Sequence, residues 1–226
     1  MVISMSYVTV KRSLMILLAL VLTFYISSSL YCRAEEEGKR VALTFDDGPH
    51  YKYTEKILDI LKKYDVKATF FTVGTNVERF PELIGRELGE GHEVANHTYS
   101  HKHMAKLSDT EFKDEVEGWE DIMAQAHGYA SKLFRPPEGI LTDTERQAIA
   151  DLGYDVVLWS IDTRDWAHNR VDRIVDTVIS DVTDGSVILF HDFISGDSPT
   201  PEALEIIIPK LKEMGYEFVT VSQLMS

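Results

Sequence analysis

Beyond residue 40, strand-like and helix-like patterns alternate to the end of the chain, and that alternation leaves few folds open. Seven short apolar runs have the length of strands: VALTF (41–45), ATFFTVG (68–74), EVANHT (93–98), KLFRP (132–136), DVVLWSI (155–161), SVILFHD (186–192) and EFVTVS (217–222). Amphipathic stretches fill the gaps at 54–65, 81–91, 108–128, 142–153, 169–185 and 200–215. In the first of them, Ile57, Leu58, Ile60 and Leu61 recur among charges, as on one helix face. Ser108 with Glu111 and Thr142 with Glu145 have the spacing of capping boxes. Gly91 and Gly153 stand where helices should stop. Strand followed by helix, about seven times, predicts an α/β fold with a parallel sheet in a single domain. The count suits a distorted or incomplete (β/α) barrel, with a doubly wound open sheet as the alternative.

Both architectures place function at the carboxyl ends of the strands. The residues with useful chemistry fall there. Asp46 and Asp47 follow the first run in TFDDGP. His97 and His101 follow the third in NHTYSHKH, and Arg135 follows the fourth in FRPPEG. Asp162, Asp165 and Trp166 follow the fifth in DTRDW, and His191 and Asp192 end the sixth in LFHD. Taken singly, each has a plain structural explanation. Adjacent aspartates before glycine commonly form a turn or cap, and two histidines four apart are commonly surface residues. Five such coincidences at strand ends are a different matter, and together they point to a site.

TFDDGP, HTYSH, RPPEG, DTRDW and LFH, in this order, resemble the five motifs of the polysaccharide deacetylases (carbohydrate esterase family 4, the NodB-homology domain). The resemblance spans roughly residues 39 to 224. It implies a distorted (β/α) barrel, a divalent metal ion (usually zinc) and hydrolysis of N-acetyl groups on sugars. It implies Asp47, His97 and His101 as metal ligands and Asp46 as the catalytic base. Residue chemistry agrees: three protein ligands with an open position form a hydrolytic metal centre, and a neighbouring non-ligand carboxylate can take a proton from water. By the same resemblance Arg135 orients Asp46, His191 is the acid, and Asp165 tunes His191. The first backbone N–H after Arg135 belongs to Glu138, because Pro136 and Pro137 have none, and this amide would face an oxyanion. The family often has an aromatic residue where this chain has Glu138. Trp166, Leu189 and Pro137 are expected to contact substrate, Leu189 beside the acetyl methyl. Asp162, Asp192 and His103 read as structural. His50, His92, His127 and His168 have no assigned role.

The implied reaction is deacetylation of an N-acetylated extracellular glycan, peptidoglycan or chitin-type. O-deacetylation of xylan by the same machinery is the alternative, and a non-catalytic glycan-binding domain is the non-enzymatic one. An iron oxygenase could use two histidines and a carboxylate but would leave Asp46 and His191 redundant. Asp-His-His would accept zinc, cobalt or another divalent ion. Short connections suggest an open groove for a long polymer.

Residues 1–34 have a different composition. They hold Lys11, Arg12 and Arg33 and no acid, and residues 13–30 carry no charge. Basic residues, an apolar stretch, then Cys32 and Ala34 three and one residues before a cut read as a signal peptide cleaved near Ala34. An uncleaved anchor is the alternative, but the most apolar part, 14–26, is short of the ~20 residues of a spanning helix. Either predicts a secreted or cell-surface catalytic domain over 39–226, after a short linker at 35–38. Cys32 is the only cysteine, so no disulfide is expected. The whole chain carries −14, and the part beyond residue 34 carries −17, which argues against nucleic acid as a partner. No protein partner is implied, and a monomer is expected.

Overall fold

The first strand, β1 (Lys39–Asp46), is buried from Val41 to Asp46, as a central strand of a parallel sheet must be. In the computed structural model, which describes residues 38–226 together with Val21 and Thr23, Lys39–Ser226 forms one compact unit. Apart from Val21 and Thr23, the expected leader over 1–34 lies outside the described residues, as does the 35–38 linker up to residue 37. The other strands are β2 (Thr69–Thr72), β3 (Glu93–Asn96), β4 (Leu133–Phe134), β5 (Asp155–Val156), β6 (Ile161–Asp162), β7 (Ser186–His191) and β8 (Tyr216–Phe218). All pairings are parallel, in the order β5-β4-β3-β2-β1-β7-β6, with β8 beside the start of β1.

One expected strand is in fact two. The run DVVLWSI was read as continuous, yet β5 pairs with β4 and β6 pairs with β7, at opposite ends of the strand order. Residues 157–160 therefore link the two edges. Val157 N–H donates to the Phe134 carbonyl, and Ser160 N–H donates to that of Val187. The sheet is thus curled into a barrel, not opened into a doubly wound sheet. Apolar periodicity could not show the break, because the apolar run VVLW continues through the corner although Leu158 there is exposed.

Strand alternation sorts the side chains. Val41, Leu43 and Phe45 of β1, with Ile188 and Phe190 of β7, face outward and pack against helices. The helices there are α1 (Thr54–Tyr64), α6 (Val171–Asp181) and α7 (Thr200–Glu213), contributing Ile57, Val178 and Leu204 among others. Ala42, Phe71, Ala95, Leu133 and Val157 face the opposite way and form the barrel interior. By the same parity Asp46 on β1 and Leu189 and His191 on β7 belong to the interior face.

The remaining helices are α2 (Gly74–Arg79), α3 (Pro81–Gly89), α4 (Asp109–His127), α5 (Asp143–Asp151) and α8 (Val221–Met225). The capping boxes expected at Ser108 and Thr142 are formed at α4 and α5. A third, Thr220 with Gln223, opens α8, which had been read as the end of a strand. The helix α2 also went unpredicted, since GTNVER has one buried apolar side chain, Val77, and no periodicity to detect.

Candidate active site

Asp46 ends β1 pointing into the barrel and is almost fully buried. Its partner Arg135, just beyond β4, is completely buried. Arg135 Nη1 donates to Asp46 Oδ1 at 2.7 Å and to Thr44 Oγ1 at 2.8 Å. Nε donates to the Val157 carbonyl at 3.1 Å and Nη2 to that of Leu158 at 3.2 Å. The residues that turn the barrel's corner therefore present carbonyls to this guanidinium. Its carbon lies 3.9 Å from the centre of the Phe71 ring, a cation–π contact. Burial lowers the Arg135 pKa, and the Asp46 carboxylate opposes this. The second Asp46 oxygen is left facing the cavity.

Asp47 follows with φ 76°, in the left-handed region that a non-glycine residue rarely occupies. That twist turns adjacent carboxylates in different directions. Asp47 Oδ1 lies 3.3 Å from His97 Nε2 and 3.1 Å from His101 Nε2. His101, at φ 55°, is left-handed too. Candidate ligand atoms of the three residues lie within 4.8 Å of one another. His97 Nδ1 is 2.7 Å from the Arg135 carbonyl. A carbonyl can only accept, so Nδ1 carries the proton and Nε2 offers a lone pair, as a metal-ligating histidine requires. Asp47 Oδ1 is buried and makes no hydrogen bond despite its two close imidazoles. Burial pushes its carboxyl up; where the His101 and His97 rings are protonated, their hydrogen bonds and charge outweigh this and hold it well below the usual carboxylate range. Two Nε2 atoms and an orphaned carboxylate oxygen converging on one point form a donor set that fits a divalent cation.

His191 ends β7 on the other side of the cavity. Its Nδ1 is 2.8 Å from Asp165 Oδ1, and its backbone N–H donates to Asp165 Oδ2 at 2.8 Å. Asp165 is fully buried and also accepts from Thr200 Oγ1 at 2.5 Å and Trp166 N–H at 2.9 Å. Burial alone would lower the His191 pKa. The Asp165 carboxylate, with smaller help from Asp46 and Asp47, instead raises it to about 9. His191 is thus cationic at neutral pH.

These groups share one cavity of about 500 Å³, lined by Asp46, Asp47, His97, His101, His191, Leu189, Glu138 and Trp166. Trp159 and Asp162 line it as well. Trp159 had been read only as strand, and Asp162, read as structural, also accepts from Arg164 N–H at 2.8 Å. Glu138 adopts φ 60° and ψ 6° in a single 3₁₀ turn, with Pro137 buried before it. Its carboxylate points away toward His103, 3.7 Å from Nε2. Asp192 does prove structural: Oδ2 accepts from Thr54 Oγ1 at 2.5 Å, and its backbone N–H donates to the Asp46 carbonyl. His92 accepts from Ala68 N–H, and His168 meets the Asp197 carbonyl. The supporting roles of Thr44 and Thr200 left no mark in the sequence.

A curled (β/α) barrel with an Asp-His-His donor set, a buried Asp–Arg pair and an Asp–His pair at its strand ends defines a carbohydrate esterase-type barrel. A family model described as polysaccharide deacetylase matches residues 33–157. The peptidoglycan-N-acetylglucosamine deacetylase of Bacillus cereus is 42% identical over 87% of this chain and 70% of its own length. The chitooligosaccharide deacetylase of a Bradyrhizobium species is 39% identical over 82% of this chain and 90% of its own. The structure of peptidoglycan deacetylase PdaC from Bacillus subtilis superposes with a TM-score of 0.78 at 42% identity, covering 84% of this chain and 91% of that one. The chain belongs to the polysaccharide deacetylase family, as its motifs had implied.

Proposed function

We propose that this enzyme is a metal-dependent N-deacetylase that releases acetate from N-acetylglucosamine residues of an extracellular glycan, peptidoglycan or a chitin-type oligosaccharide. The observation that carries the reading is the convergence of Asp47, His97 and His101 between a carboxylate held by Arg135 and a histidine held by Asp165. Relatives named for peptidoglycan and chitooligosaccharide substrates support the substrate class. The domain over 39–226 would follow a leader or anchor at 1–34 that delivers it to the cell surface or beyond.

Bound by Asp47, His97 and His101, a divalent ion such as zinc would acidify a water and polarise the acetyl carbonyl. Asp46 takes the proton from the attacking water with its free oxygen, while Arg135 holds the carboxylate in place. The new C–O bond forms at the carbonyl carbon, and the negative charge on the former carbonyl oxygen faces the Glu138 N–H. His191 Nε2 delivers a proton to nitrogen, the C–N bond breaks, and acetate and a free amine result. Asp165 occupies Nδ1, so the proton that leaves is the one on Nε2. Leu189 provides an apolar wall for the methyl group.

The test is acetate release by the protein from N-acetylglucosamine oligomers, peptidoglycan and acetylated xylan, with and without chelator and with zinc restored. Chelator-sensitive release from the amino sugars is expected. Release from xylan alone would identify an O-deacetylase, and no release with metal bound would favour a glycan-binding domain.

A further inference from the structure

Phe193 is an apolar side chain on the catalytic face that the chemistry above does not use. It is 38% exposed, close behind Trp166 at 47%. A single exposed aromatic is ordinary by itself; what sets this one apart is its surroundings. The Phe193 ring is also held. His50 stacks on it at 4.8 Å and 8° between planes, and Tyr53 stacks on His50 at 5.6 Å and 28°. Burial, then Arg79 and Lys52, lower the His50 pKa, so the imidazole beneath Phe193 is neutral at neutral pH. His50 had no assigned role in the sequence, and this stack supplies one.

Phe193 lines a second cavity of about 440 Å³ with Thr75, Asn76, Ile194 and Ser195. Asp47, His101 and Trp166 line both this cavity and the catalytic one, so the two are continuous across the metal ligands. The volume lies within the ~300–1,000 Å³ of small-ligand sites. Its walls combine a rigid aromatic face with hydroxyl and amide groups, and Asn76 is itself fixed by donating to the Asp47 carbonyl at 2.8 Å. A pyranose ring has matching surfaces: C–H groups on one face and hydroxyls around its edge.

We infer that Phe193, backed by His50, is the stacking platform of a sugar subsite beyond the reacting residue. The subsite takes a neighbouring ring of a β-linked N-acetylhexosamine chain. The inference rests on the deacetylase reading for the identity of the ligand, and it makes Phe193 a determinant of preference for longer chains. Preorganisation by the His50–Tyr53 stack means little ordering cost on binding.

The experiment compares N-acetylglucosamine oligomers of two to six residues on wild type, Phe193→Ala, Phe193→Trp and His50→Ala. Binding to the metal-free proteins is measured by calorimetry and kcat/KM by acetate release. Phe193→Ala should weaken binding and kcat/KM for the longer oligomers about two- to tenfold, the size of one aromatic contact, and lower the ratio of long- to short-chain values. Phe193→Trp should restore that ratio, and His50→Ala should give a smaller loss of the same kind. Equal loss at every length, or none, would overturn the subsite. Length-dependent loss of binding without acetate release from any oligomer would support the subsite while removing the deacetylase reading.

Discussion

Asp165 grips His191 twice, through the ring Nδ1 and through the backbone N–H, each at 2.8 Å. The carboxylate thereby sets both the position of the imidazole and its affinity for a proton. With the pKa raised to about 9, the acid form persists well above neutrality and is lost as pH rises through about 9. Activity should therefore fall on the alkaline side near pH 9. Asp165→Asn keeps the shape but removes the charge, so the alkaline limb should move to lower pH by about 1–2 units. A pH profile of kcat/KM for both proteins checks this. An unmoved limb would show that His191 is not the acid.

The proposed mechanism gives Asp46 and Asp47 separate functions, which one substitution each can distinguish. Asp47→Asn should abolish tight zinc binding, measured by metal content after dialysis. Asp46→Asn should keep the metal and lose about 10²–10⁴-fold in kcat, the usual worth of a general base. Loss of metal in Asp46→Asn would mean that the pair had been assigned the wrong way round.

Arg135 is buried with Asp46, so removing it leaves a buried carboxylate without its counter-charge. Arg135→Ala should destabilise the protein by about 3–5 kcal/mol, read from urea unfolding. Arg135→Lys keeps a charge but cannot reach Asp46, Thr44 and two carbonyls at once. It should fold with a smaller loss of stability and still turn over slowly.

Gly48 has no room for a side chain: a Cβ there would sit 2.0 Å from Asp192 Oδ2. Gly48→Ala should cost about 1–3 kcal/mol and weaken metal binding by displacing Asp47. Because the two sites touch, Gly48→Ala combined with Asp192→Ala should cost less than the sum of the single changes. Additive losses in thermal unfolding would contradict the contact.

Glu87 on α3 is fully buried and neither carboxyl oxygen has a hydrogen-bond partner. Burial, with the nearby Asp192 charge, pushes its pKa well above the usual carboxylate range. The folded state then holds a proton that the unfolded state releases, so stability falls as pH rises above the unfolded value near 4.5. Glu87→Leu should remove that dependence and stabilise the fold at pH 7 by about 1–3 kcal/mol. Chemical denaturation at pH 5 and pH 7 tests both points.

The sequence alone determined which residues stand at the strand ends, and with them the family, the strand–helix alternation of a parallel α/β fold and the chemical groups of the site. That was possible because strand parity and strand–helix alternation are local properties written in residue spacing. TFDDGP, HTYSH and LFH each lie within a few residues of a strand that carries them into place. That the sheet closes into a barrel was decided by the pairing of its edges. Only the tertiary structure decided how the apolar run at 155–161 divides between β5 and β6, since that depends on which edges meet when the sheet curls. It likewise decided that Val157 and Leu158 carbonyls reach Arg135, that Thr200 closes on Asp165, that Asp192 packs on Gly48, and that His50 stacks under Phe193. Each joins residues far apart in the chain or across a corner, and such contacts are set by the closure of the barrel rather than by any pattern along one segment.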